Sequence, residues 1–254
     1  MKSKIYCQAR YYEIAFGFVN IKKQVDLLEK FIKKYSRVKV KTILDIACGP
    51  AEQLREFACR NYKTIGLDQS QVMLDYVAEQ AQKENLQISL KKNDMNKFNL
   101  NLNADFAYIM MGSIIYAKSN DLMLSHLNSV AKTLKSGGLY LIENMNFNWS
   151  DKKTFQPQSW IMKKHGITVK TTYQLTLKNA LTQTASQMIK LEVTENSKTQ
   201  KFVDYDDVKL TFPEEFKLLV EKNNKFEFLG FFERHSLKKL KKISVDNIVL
   251  LRKK

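Results

Sequence analysis

The pattern of apolar and polar positions changes along the chain. From residue 43 to residue 142, short apolar runs alternate with stretches in which apolar residues recur at helical spacing. Such runs are typical of buried strands, and the helical spacing predicts amphipathic helices between them. The pattern therefore predicts an α/β fold whose parallel sheet has helices on both faces. The predicted strands are 42–47, 63–67, 88–90, 104–110 and 139–142, and the predicted helices are 51–60, 71–83 and 122–134. The Lys-Ser-Gly-Gly run at 135–138 predicts a helix stop.

The helical period is lost over residues 153–212. Apolar and polar residues alternate there, as in antiparallel strands, which predicts a β-rich insertion of three or four strands. A helix is predicted to resume at 213–223, because Pro213 stands near its first turn and acidic residues follow. Two late strands are predicted at 226–232 and 244–251. The first 42 residues combine an aromatic segment with one helix, near 22–34.

Polar residues stand at the ends of the first two predicted strands, where an open parallel sheet binds its ligands. Asp45 can hold an ammonium group, and Gly49 lets the backbone approach a ligand closely. Asp68 ends the second strand and can accept two hydrogen bonds from a ribose diol. Asp68 could instead cap the next helix, but Ser70 could fill that role.

The ends of the third and fourth predicted strands carry further candidates. Asp94 can receive the exocyclic amine of an adenine, and Met95 can cover the ring. A plain polar turn is the alternative for this segment. Met110 ends the fourth strand, and Gly112 leaves room where a reacting centre would lie.

Together, these segments resemble the class I S-adenosylmethionine-dependent methyltransferases. The L-D-I-A-C-G-P-A run at 44–51 is similar to that family's first motif, and the K-S-G-G-L-Y-L-I-E run at 135–143 resembles its turn before the fifth strand. The resemblance implies a Rossmann-like seven-stranded sheet and S-adenosyl-L-methionine as the cofactor. It assigns cofactor contacts to Asp45, Ala47, Gly49, Asp68, Gln69, Met73, Asp94, Met95 and Met110.

The first motif departs from the family pattern at two glycine positions. Ala47 and Ala51 stand there, and alanine costs little unless φ is positive or the ligand touches Cα. Cys48 is interpreted as a small packing residue. A nicotinamide cofactor fits less well, because its fingerprint needs G-x-G-x-x-G and Glu52 would repel a diphosphate. A sulfonium cation tolerates acidic neighbours.

The signatures of several acceptor classes are missing from the sequence. No Asn/Asp-Pro-Pro-aromatic box follows the fourth strand, and no Pro-Cys pair occurs. Metal-dependent members carry an acid where Met110 stands, so no metal site is predicted. We therefore expect an enzyme that methylates an N or O atom of a small molecule by in-line displacement.

The flanking segments supply candidates for the acceptor side. The A-R-Y-Y-E-I-A-F run resembles a segment that closes over the donor in small-molecule members, which assigns donor contacts to Tyr11 and Tyr12. Tyr116 is a candidate for lining the acceptor site or relaying a proton, and Glu143 for orienting an amine. Packing roles are the alternatives for the tyrosines, and a solvated strand-end acid is the alternative for Glu143. His126 lies inside a helix, away from the ligand-binding edge, and is interpreted as structural. The combination is similar to members that include the amino-sugar N,N-dimethyltransferases.

These interpretations divide the chain into three parts. Residues 1–42 form an N-terminal lid, residues 43–152 and 213–254 form the methyltransferase core, and residues 153–212 cover the acceptor site. The sequence contains no apolar stretch near the ~18 residues of a membrane span. It shows no secretory signal, and its three cysteines have no paired spacing, so we expect a cytoplasmic protein.

The formal charge of +16 lies outside the predicted donor-binding core. Residues 1–42 and 143–254 each carry +8, whereas residues 43–142 are neutral. This distribution makes an anionic acceptor more plausible and keeps an RNA or protein methyltransferase as the second hypothesis. A non-catalytic donor-binding module is the third. The 36 Lys against 6 Arg favour solvated surface over nucleic-acid readout. Oligomeric state is left open.

Overall fold

The computed structural model describes residues 4–145, 152–242 and 244–254. In chain order its strands are β1 (Thr42–Ile46), β2 (Lys63–Asp68), β3 (Ile88–Lys92), β4 (Ala104–Ile109), β5 (Leu134–Glu143), β6 (Gln158–Lys164), β7 (Ile167–Asn179), β8 (Thr184–Glu195), β9 (Lys198–Lys209), β10 (Phe226–Glu233) and β11 (Asn247–Lys253). Its α-helices are α1 (Ala9–Ala15), α2 (Ile21–Tyr35), α3 (Glu52–Cys59), α4 (Gln71–Lys83), α5 (Asn120–Thr133) and α6 (Pro213–Asn223). Short 3₁₀ turns span Ser113–Tyr116 and Lys152–Phe155.

The central sheet has seven strands in the order β10-β11-β5-β4-β1-β2-β3, which confirms the predicted Rossmann-like sheet. Strands β1 to β5 run parallel, and β11 lies antiparallel between β5 and β10. The strand order reverses at β1, which has β2 on one side and β4 on the other. The carboxyl ends of β1, β2 and β4 therefore border the crevice in which such sheets bind ligands.

Helices cover both faces of this sheet, as predicted. The apolar sides of α2, α3 and α4 pack on one face around Phe31, Phe57 and Val77. Helices α5 and α6 pack on the other face through Leu127 and Phe216. All six residues of β4 are buried, because both faces of this central strand are covered.

The predicted insertion is a four-stranded antiparallel sheet in the order β6-β7-β8-β9. Alternate residues of β8 are buried, so one face of the sheet points into the molecule. Near β8's start this face joins the main core through Leu175, Ala185 and Val208. Further along, Ile189 and Leu191 pack with Ile14 of α1 in a separate apolar cluster. The insertion thus holds the N-terminal segment against the core.

Two details differ from the sequence predictions. Helix α5 ends at Thr133, and residues 134–138 already belong to β5, so the Gly-Gly run does not stop the helix. Gly138 serves strand packing, since a Cβ on it would lie 2.7 Å from the carbonyl oxygen of Asp105. The first 42 residues contain two helices where one was predicted. Helix α1 packs on the insertion, and α2 packs on the central sheet. No helix in the described ranges is long and apolar enough to cross a membrane.

Candidate functional site

Asp68 lies at the edge of the crevice, at the end of β2, where it is 9% exposed. Its Oδ2 accepts the backbone N–H of Gly49 at 2.8 Å, and its Oδ1 accepts that of Ser70 at 2.8 Å. Ser70 is the N-cap of α4, with its side chain accepting from the backbone N–H of Met73. Since Ser70 fills the capping role, the Asp68 carboxylate remains at the edge of the crevice, where its further lone pairs can meet a ligand.

Asp45 is a second buried carboxyl at this edge, 3% exposed. Burial raises the pKa of Asp45 well above its ordinary value, and the charge on Asp68 raises it further. Burial also raises the pKa of Asp68, although the backbone N–H groups that it accepts oppose the shift. A cation bound between them would lower both pKa values. The crevice therefore suits a ligand that carries positive charge and hydroxyl groups.

The loop between β1 and α3 has a left-handed backbone at three positions. The φ angles are 55° at Ala47, 52° at Gly49 and 55° at Ala51. Alanine costs little in such a loop unless φ is positive, and because φ is positive here both alanines are strained. A Cβ on Gly49 would meet no heavy atom within 4 Å, so open space faces this backbone. A ligand can therefore approach the loop at Gly49.

Cys48 packs inside this loop. A Cβ on Gly66 of β2 would lie 3.1 Å from the Cys48 Sγ, so the strand and the loop approach closely. Burial raises the pKa of the Cys48 thiol well above its ordinary value, which keeps the thiol protonated. These contacts agree with the packing role that we predicted.

The turn after β3 carries Asp94 and Met95. The exposed Asp94 accepts the backbone N–H of Asn96 at 2.8 Å through Oδ1, so this carboxylate also shapes the turn. Met95 is buried. Its carbonyl oxygen lies 2.7 Å from Nδ1 of the buried His126, whose Nε2 lies 2.6 Å from the hydroxyl of Tyr140. Burial lowers the pKa of His126 to about 4, so the neutral ring donates to Met95 and accepts from Tyr140. His126 thus holds the turn after β3 in place through its hydrogen bond to the Met95 carbonyl oxygen.

The remaining residues predicted to contact the cofactor differ in exposure. Gln69 follows Asp68 and is exposed. Met73 lies in the first turn of α4 and is buried, and Met110 is buried at the end of β4. All three lie on elements that end or begin at the crevice.

The two tyrosines of the N-terminal run have different neighbours. The ring of Tyr12 packs 5.6 Å from that of Tyr6, and burial together with the charges of Tyr6 and Asp68 raises the pKa of Tyr12. Tyr11 instead donates its hydroxyl to Glu195 of the insertion at 2.8 Å and packs on Phe202. Tyr12 therefore lies on the Asp68 side of α1, whereas Tyr11 joins α1 to the insertion.

Glu13 joins the N-terminal segment to three other elements. Its Oε2 accepts from Arg55 of α3 at 3.1 Å and from the hydroxyl of Tyr76 of α4 at 2.8 Å. Its Oε1 accepts from Lys164 of β6 at 2.9 Å. These partners lower the pKa of Glu13 against the opposing effect of burial. One ionised carboxylate thus holds α1 to both the core and the insertion.

Tyr116 belongs to a chain of hydrogen bonds between the core and the insertion. Its hydroxyl lies 2.7 Å from that of Tyr6 and donates to Gln187 Oε1 of β8 at 2.5 Å. Gln187 then donates to the hydroxyl of Tyr173 on β7 at 3.3 Å. The Tyr6 carbonyl oxygen also accepts from the Ser70 hydroxyl at 3.3 Å, beside Asp68. Burial raises the pKa of Tyr116, so the group is a neutral hydroxyl suited to relay or positioning.

Glu143 does not have the role that the sequence suggested. The side chain is 1% exposed, and both of its oxygens are occupied. Oε1 accepts from Arg234 and from Gln24, each at 2.9 Å, and Oε2 accepts from the backbone N–H of Met111 at 2.9 Å. These contacts make Glu143 an anchor that joins β5, α2 and the loop after β10. The residues that follow it at 146–149, which we grouped with Glu143, lie outside the described residues.

Sequence reasoning missed several residues that the fold brings to this region. They come from the N-terminus, the start of α4, β7, β8 and the loop after β10, namely Tyr6, Ser70, Tyr173, Gln187 and Arg234. No spacing rule connects them, since they belong to separate segments of the sequence. Tyr6 alone carried a hint, because it stands close to the aromatic run that we did single out.

Part of the chain is similar to a family of known proteins. Residues 43–138 match the family model described as a methyltransferase domain. The matched range includes β2 to β4 and all of β1 except Thr42, together with the Asp45 and Asp68 carboxyls and the loop around Gly49.

One curated relative and two solved structures are also similar to this chain. The relative is the dTDP-3-amino-3,4,6-trideoxy-α-D-glucopyranose N,N-dimethyltransferase of Streptomyces venezuelae, 29% identical over 102 residues. That match covers 40% of this chain and only 41% of the relative.

Both structures share the fold over nearly the whole chain. An S-adenosylmethionine-dependent methyltransferase from Clostridium acetobutylicum ATCC 824 has a TM-score of 0.80 at 18% identity, with 96% of each chain covered. DesVI of Streptomyces venezuelae also has a TM-score of 0.80, at 16% identity, with 100% of each chain covered. The fold around the methyltransferase domain, including the insertion, is therefore shared with these proteins.

Proposed function

We propose that this protein is an S-adenosyl-L-methionine-dependent methyltransferase. The observation that carries the proposal is the Asp68 carboxylate, held by the N–H groups of Gly49 and Ser70 at the end of β2 beside the open backbone of Gly49. This arrangement suits a ribose diol on Asp68 and close approach of the donor at Gly49. The buried Asp45 supplies negative charge toward the cationic end of the donor. The methyltransferase match over 43–138 covers these same residues.

The bound donor would supply an electrophilic methyl group on a sulfonium. The protein's own task is then to hold the acceptor in line and to exclude water. Tyr12 packs on Tyr6, whose hydroxyl lies 2.7 Å from that of Tyr116, and we assign Tyr116 the positioning of the acceptor. Residues of the 93–95 turn are assigned to the adenine, with His126 holding the turn in place.

We propose a small-molecule amine, of the amino-sugar type, as the acceptor. The relative named above acts on a nucleotide-linked amino sugar. An amine that binds as the free base needs no strong general base, and Tyr116 and the neutral His126 offer none. The insertion, with its inward Gln187 and Tyr173, forms the cover over this acceptor, and residues 4–15 close the side.

The lysine-rich segment after β10 supports our proposal that part of the acceptor is anionic. Strand β10 runs in the same direction as β5, so this segment begins at the same edge of the sheet as the crevice. It carries the exposed Lys238, Lys239, Lys241 and Lys242. Its base is fixed by the ion pair of Arg234 with Glu143. A diphosphate next to these lysines would make acceptor binding weaken with added salt.

The donor half of the proposal is tested by calorimetry with S-adenosylhomocysteine. We expect binding by the wild type and a loss of affinity of about tenfold or more in Asp68→Asn, because the ribose diol loses a charged acceptor. Asp75→Asn, on the exposed side of α4, is the matched control and should bind normally. Absence of binding by the wild type, or equal affinity in Asp68→Asn, contradicts the proposal.

The acceptor half is tested by mass spectrometry of products from S-adenosylmethionine and dTDP-3-amino-3,4,6-trideoxy-α-D-glucopyranose. We expect addition of one and then two methyl groups, with a KM for the acceptor that rises with salt. Total tRNA is the comparison substrate, and its methylation in place of the amine would support the RNA hypothesis. The unpaired Cys7, Cys48 and Cys59 agree with assay under reducing conditions and with our proposal of a cytoplasmic protein.

A further inference from the structure

Asn144 directly follows Glu143 at the end of β5, and it differs from Glu143 in one decisive respect. Both Glu143 oxygens are occupied by Arg234, Gln24 and the N–H of Met111. The Oδ1 of Asn144 is buried, and among the described residues it has no hydrogen-bond partner. A buried amide oxygen without a partner destabilises a folded protein, so such an atom indicates a missing ligand group.

The backbone holds Asn144 in an unusual conformation. Its φ angle is 57°, in the left-handed region that asparagine adopts more readily than most residues. The buried Asn247 fixes this turn, since its carbonyl oxygen accepts the N–H of Asn144 at 2.8 Å and its Oδ1 accepts the N–H of Met145 at 3.2 Å. The side chain of Asn144 is therefore set by a rigid turn, and the strain is maintained by specific bonds.

The turn lies beside the end of β4. A Cβ on Gly112 would lie 3.8 Å from the Cβ of Asn144 and 3.5 Å from its carbonyl oxygen. Met111 and Gly112 are themselves left-handed, with φ angles of 54° and 70°. The strand ends of β4 and β5 thus place Asn144 at the ligand-binding edge of the sheet, next to the glycine that leaves room for a reacting centre.

We infer that the Asn144 side-chain oxygen is the group that receives an N–H of the acceptor amine, and that the acceptor is a primary or secondary amine. This inference rests on the proposed function. An amide oxygen accepts one N–H and thereby aims the nitrogen lone pair elsewhere, toward the methyl group of the donor. An amide oxygen is not a base, so it cannot take the proton that a hydroxyl acceptor must lose.

The charges around Asn144 also favour binding of an uncharged amine by this residue. A carboxylate beside the amine would stabilise the protonated, unreactive ammonium form. Glu143 is neutralised by Arg234, and Asn144 is itself uncharged, so the free base is not penalised. The nitrogen lone pair then forms the N–C bond while the C–S bond breaks, and its electrons remain on sulfur as a neutral thioether. The new ammonium loses one proton to solvent, which returns a secondary amine or gives a tertiary one.

The geometry also sets where methylation ends. A primary amine and its monomethyl product each retain an N–H for Asn144 while the lone pair attacks. The dimethylated amine has no N–H as the free base, and a third transfer would lack this contact. Two methyl groups are therefore expected at most.

Asn144→Gly is the direct test, because glycine adopts the same positive φ and only the side chain is removed. Asn85→Gly is the matched control, since Asn85 has a φ of 55° in the exposed turn between α4 and β3. With dTDP-3-amino-3,4,6-trideoxy-α-D-glucopyranose, Asn144→Gly should lose about 10–100-fold in kcat/KM. The Kd for S-adenosylhomocysteine should stay within about twofold, and Asn85→Gly should match the wild type.

Asn144→Asp supplies a readout that a purely structural role would not change. The new carboxylate should raise the pKa of the bound amine and shift the pH profile of kcat/KM to higher pH by about one unit. A wild type that methylates the amine, together with an Asn144→Gly variant of equal kcat/KM, overturns the inference alone. Turnover of the matching 3-hydroxy sugar nucleotide in place of the amine also overturns it while the methyltransferase proposal stands. Failure of the wild type on both acceptors contradicts the proposed acceptor and the inference together.

Discussion

The hydroxyl oxygens of Tyr6 and Tyr116 lie 2.7 Å apart and join the N-terminal segment to the turn after β4. Tyr116 donates onward to Gln187 of the insertion, so the proton between the two tyrosines belongs to Tyr6. This chain connects three parts of the molecule that are distant in the sequence. Removal of any one of these three side chains would break the chain of hydrogen bonds.

Tyr116→Phe should interrupt this chain. The Tyr6 hydroxyl and Gln187 Oε1 would each lose a buried partner. The contacts that hold the N-terminal segment and the insertion together beside the proposed acceptor site should therefore weaken. We expect kcat/KM for the amine acceptor to fall about tenfold, with donor affinity nearly unchanged. Steady-state kinetics check this, with Tyr205→Phe as the control because that residue is 72% exposed. Unaltered kinetics would show that Tyr116 only packs.

Ala47→Gly should stabilise the protein. Alanine at φ 55° costs about 1–2 kcal/mol, whereas glycine adds about 0.5–1 kcal/mol of entropy cost on folding. The free energy of unfolding should rise by about 0.5–1 kcal/mol in urea titrations. Ala58→Gly, inside α3, should lower it by about 1 kcal/mol. A loss of stability in Ala47→Gly would contradict the strain that we assign to this loop.

Gly49→Ala should impair donor binding more than it impairs folding. The added methyl meets no protein atom, so it would occupy the space that faces the crevice. We expect the affinity for S-adenosylhomocysteine to fall about tenfold or more, measured by calorimetry. Gly166→Ala is the matched control, since Gly166 also has positive φ and no neighbours, in the β6–β7 hairpin turn. Equal affinity in Gly49→Ala and the wild type would place the donor elsewhere.

Glu52→Gln should stabilise the protein increasingly as the pH rises above 4.5, the ordinary pKa of glutamate, and almost not at all below it. Burial raises the pKa of Glu52 from 4.5 to about 7, and the charge of Glu13 adds to the shift. Between these values the folded state holds a proton that the unfolded state has released, so stability falls as pH rises. At pH 8 the variant should gain about 2 kcal/mol in the free energy of unfolding, and at pH 4 almost nothing.

Urea titrations at the two pH values check the Glu52 prediction. Glu221→Gln, on the exposed side of α6, is the control and should show no pH-dependent gain. An equal gain for Glu52→Gln at both pH values would show that the glutamate is not perturbed by its surroundings.

Much of the fold could be predicted because it depends on local patterns. Buried runs such as 104–110 predicted β4, which spans Ala104–Ile109, and the alternation over residues 153–212 predicted an antiparallel insertion, which contains β7 and β8. The Gly-Gly run at 135–138 was misinterpreted, because a glycine that ends a helix and a glycine that lets two strands approach look alike in sequence. Only the 2.7 Å approach to Asp105 separates these two cases.

The sequence by itself determined the proposed donor side of the site. Asp45, Gly49 and Asp68 end or follow neighbouring parallel strands, and the topology of such a sheet brings those ends to one edge. The tertiary structure decided the proposed acceptor side. Whether Glu143 or Asn144 is available to a ligand depends on Arg234, 91 residues away from Glu143, which occupies the carboxylate. The burial of a side chain and its hydrogen-bond partners depend on contacts between distant segments. A local motif therefore could not show which of two adjacent polar residues is available to a ligand.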